Sequence, residues 1–403
     1  MSSMAESMNR GLMDKIRTFF KTSDWESIGV VAFYGYFAIN MLMKAFTYDH
    51  GDKIYLFFFL FAMAFWGIKI ITTKYTLREV IGIALLMGLG LALSVITKQN
   101  TWLLLFMTII AMKNCNFRTM IKLAVYIRVF CVIILVLGSV YDLYDIGYKT
   151  TPDTSYVEIP VYSFAMNEPN TAFLAVFLTL VLLLYYNYEK LNAWWFIGTS
   201  AVAFLFYKFT FCRTGIAVFF FCWALIIYEK FVKDKRYKIV LALSVLVGAV
   251  FSFCTMILFD GNNSLMALLN HFVSGRIYIM NSYFEDQGLS LLPRPQEVFY
   301  ASYHGLIDNT YMYVLIYCGV IVAALFLYLM QKTLFRLYRE GHYKELVMIS
   351  TLALYGVLEQ FIMNGFMNPF ILLSGILLYP NLLDEKGTAE LQQEATKEHA
   401  MEA

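Results

Sequence analysis

Long apolar runs dominate the chain, broken at intervals by short clusters of charged and polar residues. A bilayer core is crossed by about 20 apolar residues in a helix. On that measure the pattern predicts membrane-spanning helices over 28–46, 54–72, 80–97, 121–140, 171–187, 193–210, 214–230, 238–259, 310–331, 346–363 and 366–383. The run 100–113 is shorter and reads as a short span or a re-entrant helix; counting it gives twelve spans. The predicted fold is therefore all-α and polytopic. A cytoplasmic N-terminal segment covers 1–27, a single membrane domain 28–383 and a polar cytoplasmic tail 384–403. Two loops are long, about 141–170 and 260–309. Loops of that length without regular structure are usually functional.

Composition supports the same class. Of 403 residues, 60% are hydrophobic and 15% charged, where a soluble chain carries roughly a quarter charged residues. Too few polar residues are present to cover two or three soluble domains. A net charge of +2 gives no footprint for nucleic acid. The six cysteines, Cys115, Cys131, Cys212, Cys222, Cys254 and Cys318, form no CxxC pair and read as small buried hydrophobes. Residues 1–25 carry charges throughout and lack the apolar core of a signal peptide.

The basic residues orient the spans, because lysine and arginine concentrate in cytoplasmic loops. With twelve spans, the two termini and the even-numbered loops hold 21 Lys and Arg and the opposite side holds 8. Lys69 and Arg128 fall inside spans, near their cytoplasmic ends. Both termini are thus expected in the cytoplasm and both long loops outside. The count also favours 100–113 as a true crossing, since otherwise every later basic loop faces outward.

The polar residues left over fall on the outer face. They are Asn167-Glu168-Pro169-Asn170 before the sixth span, Cys212-Arg213-Thr214-Gly215 at a tip, Ser274-Gly275-Arg276 in the second long loop, Asp308-Asn309-Thr310-Tyr311 opening the tenth span, and Glu359 with Asn364 to Pro369 near the end. Tyrosines crowd the two loops: Tyr141, Tyr144, Tyr148, Tyr156, Tyr162, Tyr278, Tyr283, Tyr300 and Tyr303. Each pattern has a plain structural reading. Asn167 to Asn170 and Asp308-Asn309 suit helix caps, and Arg213 suits snorkelling to headgroups. Arg276 suits a solvated loop charge, Glu359 a satisfied buried carboxylate, and the tyrosines an interfacial belt. Those readings leave unexplained why arginines persist on a face otherwise poor in cations. The cytoplasmic loops hold no phosphate-binding loop or nucleotide signature.

In their order these motifs resemble those of the Wzy-type polysaccharide polymerases, within the O-antigen polymerase and ligase group of bacterial membrane glycosyltransferases. The resemblance runs over roughly 160–383 and rests on Pro169-Asn170, Arg213-Thr214-Gly215, Ser274-Gly275-Arg276, Asp308-Asn309 with Tyr311 and Gly319, and Glu359 with Asn368-Pro369. Glu168 stands where relatives commonly have His, and Cys212 where they commonly have Ser. The resemblance implies a GT-C-like fold in the bacterial cytoplasmic membrane with an active site on its outer face. It also implies a polyprenyl-diphosphate-linked oligosaccharide as substrate, no cofactor and no metal, and work beside membrane lipid, a flippase and chain-length regulator proteins.

Such chemistry needs a held diphosphate, for which the arginine fork is suited; Arg213 and Arg276 are the candidates. A base must be a carboxylate or histidine. Glu168, Asp308, His304 and Glu359 qualify, with Glu168 favoured because it precedes a helix opening beside the outer loop. Asn167, Asn170, Asn309 and Tyr311 are candidates for positioning substrate. A ligase that transfers finished glycan shares this chemistry. A transporter of lipid-linked sugars also has many spans, but is expected to show internal repeats and midplane charges. The topology is testable: Ser155→Cys and Ser290→Cys should be labelled from outside by a membrane-impermeant thiol reagent, and labelling of Asp234→Cys instead would overturn the map.

Overall fold

The computed structural model describes residues 25–46, 53–141, 148–152, 158–166, 168–295 and 307–383. They form helices α1 (Trp25–Ala45), α2 (Lys53–Thr72), α3 (Leu77–Thr97), α4 (Thr101–Ala111) and α5 (Phe117–Val140). Strands β1 (Tyr148–Pro152) and β2 (Glu158–Tyr162) make one antiparallel hairpin, with Tyr148 opposite Tyr162. Helices α6 (Pro169–Tyr186), α7 (Ala193–Thr210), α8 (Arg213–Phe231), α9 (Ile239–Ala242) and α10 (Ser244–Ile257) follow. The chain continues with α11 (Ser264–Phe272), α12 (Arg276–Gln287), α13 (Thr310–Glu340), α14 (Tyr343–Tyr355) and a 3-10 helix over Pro369–Leu377. The all-α expectation holds apart from the hairpin, which lies in the first long loop.

Seven of these helices, α1, α2, α3, α5, α6, α8 and α13, are long and apolar enough to cross a membrane. Their exposure settles the solvent. Helix α2 has mean hydropathy 2.1 and α3 2.4. Yet α2 buries only Tyr55, Ala62, Lys69 and Thr72, and α3 only Gly90, Leu93 and Thr97. Ile71, Leu77 and Val95 are each more than three-quarters exposed. Apolar surface on that scale is unstable in water and stable against lipid. This is a multi-pass membrane protein.

Several helices start where local chemistry dictates. Thr76 and Glu79 form a reciprocal capping box on α3, and Asn116, Asn192, Asn263 and Asn309 cap α5, α7, α11 and α13 through their side-chain oxygens. The short α4 is buried along nine of its residues, so it is sheathed by protein. It folds back along α3: Ser94 donates to Asn100 at its start, while Lys113 beyond its end pairs with Glu79 at 2.7 Å.

The basic loops that the cation count assigns to one side gather at one end of the bundle. Glu26 accepts from Asn114 at 3.3 Å, and the Lys69 ammonium donates to the Lys113 carbonyl at 2.7 Å. Tyr379 donates to the Ile110 carbonyl at 2.9 Å, and Arg336 to that of Pro380 at 3.1 Å. Lys235 donates to the Arg339 carbonyl at 2.9 Å, Lys238 pairs with Glu229 at 2.6 Å, and Tyr185 donates to Glu345 at 2.7 Å. Arg128, expected near the basic end of its span, instead sits mid-helix in α5, fully enclosed, donating to the Phe366 carbonyl at 3.0 Å.

The predicted spans differ from the helices in four places. The segment 238–259 is two helices, α9 and α10, joined at Leu243. The segment 346–363 is helical only to Tyr355, and 366–383 holds a 3-10 helix nine residues long. Helix α13 breaks at Gly319, whose φ is 83° and ψ 165°. The backbone groups freed by this break are taken up by the loop before it. The Ser290 carbonyl accepts from Val320 N–H at 2.8 Å, that of Leu291 from Ile321 at 3.3 Å, and the Arg294 N–H donates to the Tyr317 carbonyl at 3.0 Å. An apolar surrounding offers no water to do this, so the protein must.

A Cβ at Gly319 would lie 2.7 Å from the Leu292 backbone carbon, on top of the left-handed φ. Gly319→Ala is therefore expected to destabilise the protein by about 1–3 kcal/mol. Thermal unfolding in detergent measures this, with Gly67→Ala, which meets nothing within 4 Å, as the neutral comparison.

Candidate functional site

At the end of the bundle opposite the basic loops, three charged side chains from separate segments meet. Arg276 opens α12 after two residues in the left-handed region, Ser274 (φ 56°) and Gly275 (φ 84°). Glycine suits the second, because a side chain at that φ is strained. The Gly275 N–H donates to the Asn270 carbonyl at 2.8 Å, and the Asn270 side chain accepts from the Tyr278 N–H at 2.9 Å. This tight turn aims the arginine inward, where it is only 6% exposed.

The guanidinium meets Glu359 at 2.6 Å and Asp308 at 3.6 Å. Glu359 is largely buried, whereas the Asp308 side chain is 41% exposed. Arg276 Nε is enclosed and has no hydrogen-bond partner among the described residues. Glu359 lies in the irregular stretch after α14, and its backbone carbonyl accepts from the Thr310 hydroxyl at 2.9 Å. Burial raises the Asp308 carboxyl above the ordinary aspartate range, and the nearby Arg276 guanidinium offsets part of that rise. Two carboxylates thus share one cation, held by the glutamate and touched by the aspartate.

Asn309 fixes the aspartate's place. It is fully buried; its carbonyl oxygen caps α13 at Met312 N–H (3.0 Å), and its amide donates to Ser252 Oγ and to the Val357 carbonyl, both at 2.8 Å. Tyr311 donates to the Ala353 carbonyl at 3.0 Å and packs where a Cβ on Gly248 would be 2.9 Å from its hydroxyl. Both residues, read from the sequence as substrate-positioning, use these groups to hold the scaffold under the site.

Arg213, Glu168 and Asn170 are not part of this ion cluster. Arg213 begins α8 with its guanidinium over the Phe211 ring, 5.6 Å from the centroid, and among the described residues it forms no ion pair. Gly215 of the same motif is a close-packing position, since a Cβ there would lie 2.3 Å from Phe173 and 2.9 Å from the Tyr355 hydroxyl. Glu168 is exposed at the N-cap of α6 without capping it through its side chain, and it is not among the carboxylates that meet Arg276. Asn170 is exposed in the first turn of α6. His304 and Asn167 fall outside the described residues, as do Tyr144, Tyr156, Tyr300 and Tyr303.

Sequence reasoning missed Tyr355, fully buried, whose hydroxyl stands beside Gly215 and against the Cys212 thiol. Nothing marks it in the sequence, because it lies in an apolar run. No group of three His, Cys, Asp or Glu among the described residues is arranged to hold a metal. Comparison with protein-family models, with curated proteins and with solved structures finds no match to this chain.

The geometry separates the two arginines energetically. Arg276→Ala strands the buried Glu359 and is expected to cost about 3–5 kcal/mol. Arg276→Ala with Glu359→Leu should recover most of that loss, as measured by thermal unfolding in a double-mutant cycle. Arg213→Ala removes no ion pair and should cost about 1 kcal/mol or less.

Proposed function

We propose that this chain is a metal-independent glycosyltransferase that polymerises polyprenyl-diphosphate-linked oligosaccharide repeat units into a surface polysaccharide of the capsule, exopolysaccharide or O-antigen type. The observation that carries the reading is Arg276, a buried arginine held at one rim of a membrane protein by one enclosed and one half-exposed carboxylate. On this reading the chain crosses the cytoplasmic membrane twelve times in a GT-C-like arrangement, with both termini inside and the Arg276 site at the outer face, as the cation asymmetry of the sequence requires.

The three charges divide the chemistry between them. Glu359 stays with Arg276 and orients its fork. The incoming diphosphate displaces Asp308, the more distant and more exposed partner, and accepts the guanidinium in its place. Released, Asp308 takes the proton of the acceptor hydroxyl as its oxygen attacks the anomeric carbon of the donor sugar. The bond from that carbon to the diphosphate oxygen breaks, and the diphosphate leaves with the electron pair, its charge met by Arg276. This moves the base from Glu168, favoured on sequence grounds, to Asp308, because Asp308 is the more exposed of the two carboxylates beside the arginine. A ligase acting on the same donor has the same requirements. A transporter has less support, since these charges sit at one end of the bundle.

In a deletion strain carrying each variant, Arg276→Lys keeps the positive charge and loses the fork. Long-chain product should fall by at least about 100-fold, the size of a lost transition-state donor, at normal protein abundance. Asp308→Asn should fall comparably. Single repeat units left on the lipid carrier support polymerisation. Full-length chains left on the carrier indicate a ligase, and repeat units trapped on the inner leaflet a transporter. Wild-type product ladders from Arg276→Lys would remove the diphosphate role.

A further inference from the structure

Helix α11 (Ser264–Phe272) is amphipathic, and half of its apolar side is open. With about 3.6 residues per turn, Leu265, Leu268, Leu269, Phe272 and the following Val273 fall on one side of it. Ser264, Ala267, Asn270 and His271 fall on the other. The described protein covers one flank of the apolar side, where Leu269 and Val273 pack against the core. The other flank is bare: Leu265 is 60% exposed, Leu268 64% and Phe272 59%. The helix carries no Lys, Arg, Asp or Glu. An apolar stripe of this kind marks a contact with something other than water.

The preceding helix identifies the contact. Helix α10 is short and apolar, and Val247, Val250 and Phe253, with Leu258 at its end, are exposed. In a multi-pass membrane protein that side faces lipid. Residues 258–263 alone separate α10 from α11, so the bare stripe continues a lipid-facing surface. A nine-residue helix rises only about 13 Å, less than half of a bilayer core of about 30 Å. It is too short to cross, and its two-sided character suits the plane of the membrane surface. Tyr278, half-exposed and in ring contact with Phe259 at 6.1 Å, has the amphipathic ring favoured at that level.

We infer that α11 is an interfacial helix that anchors the turn carrying Arg276. Leu265, Leu268 and Phe272 sit at the boundary between headgroups and acyl chains, and Ala267 and His271 face water. The link to the turn is short. The Asn270 carbonyl accepts from Gly275 N–H at 2.8 Å, and the His271 carbonyl from Ser274 N–H at 3.1 Å. The Asn270 side chain accepts from Tyr278 N–H at 2.9 Å. Asn281 of α12 donates to the Met256 carbonyl at 3.1 Å, which fastens α12 to the end of α10. The depth of α11 in the membrane therefore sets the depth of the turn. Part of the second long loop is thus membrane-surface structure. The inference concerns a surface and stands whether or not the chain transfers sugars.

The test uses the full-length protein in nanodiscs of dioleoyl phosphatidylcholine, with Cys254→Ser removing the exposed cysteine and leaving the five buried ones. Nitroxide labels are introduced singly through Leu265→Cys, Leu268→Cys, Phe272→Cys, Ala267→Cys and His271→Cys. Their collisions with oxygen, which concentrates in lipid, are compared with those with a water-soluble nickel chelate. The expected result follows the helix: the oxygen-to-nickel ratio is several-fold higher at Leu265, Leu268 and Phe272 than at Ala267 and His271. Equal access of nickel to all five labels places α11 in water and overturns the inference. Shielding of the first three from both reagents overturns it as well, because a second copy, another protein or a further segment of this chain then covers the stripe. Anchoring is read by hydrogen exchange in the same nanodiscs. Leu265→Asp with Leu268→Asp should speed exchange over residues 274–279 by about tenfold or more, since opening the turn no longer lifts two leucines out of lipid. Exchange at Val320 and Ile321 should stay as in the wild type, and Leu265→Ala with Leu268→Ala should give a smaller rise over 274–279. Unchanged exchange over 274–279 in both double variants shows that α11 anchors nothing.

Discussion

A polar backbone group facing hydrocarbon has no water to turn to, and the break in α13 shows what that demands. At Gly319 the helix opens, and the segment 290–294 enters the gap with hydrogen bonds to Val320, Ile321 and Tyr317. That segment follows α12 directly, so satisfying the break also ties α12 against α13. Arg276 stands at the start of α12, and Asp308 stands just ahead of α13. One backbone requirement therefore brings the arginine and the aspartate to the same place. Glycine is needed at the break for two reasons: a φ of 83° and a Cβ position only 2.7 Å from the Leu292 backbone.

The Arg276 cluster depends on that frame and then on electrostatics. A charge removed from water at this depth costs several kcal/mol unless it is paired. Glu359 supplies the pairing at 2.6 Å. The second carboxylate is farther away and more exposed, which makes it the looser of the two partners. Asn309, fully buried between Ser252, Val357 and the first turn of α13, anchors the backbone next to Asp308.

The membrane class, the positions of most helices and the grouping of the basic loops were legible in the amino-acid sequence, because each depends on local runs. About 20 apolar residues make a span wherever they occur, and a cluster of cations marks a loop without reference to its neighbours. The caps at Thr76, Asn116, Asn192, Asn263 and Asn309 are equally local. Arg276, Asp308 and Glu359 also stood out, as polar residues left over in apolar surroundings. Their pairing was not. Arg276 and Glu359 are 83 positions apart, and no periodicity links them; only the packing of α12 against α10 and α13 decides that this arginine, and not Arg213, receives the carboxylates. Packing likewise decides that the apolar stretch after Tyr355 runs as turns and a 3-10 helix, since an apolar run reads alike whether it is an α-helix in lipid or irregular chain sheathed by protein.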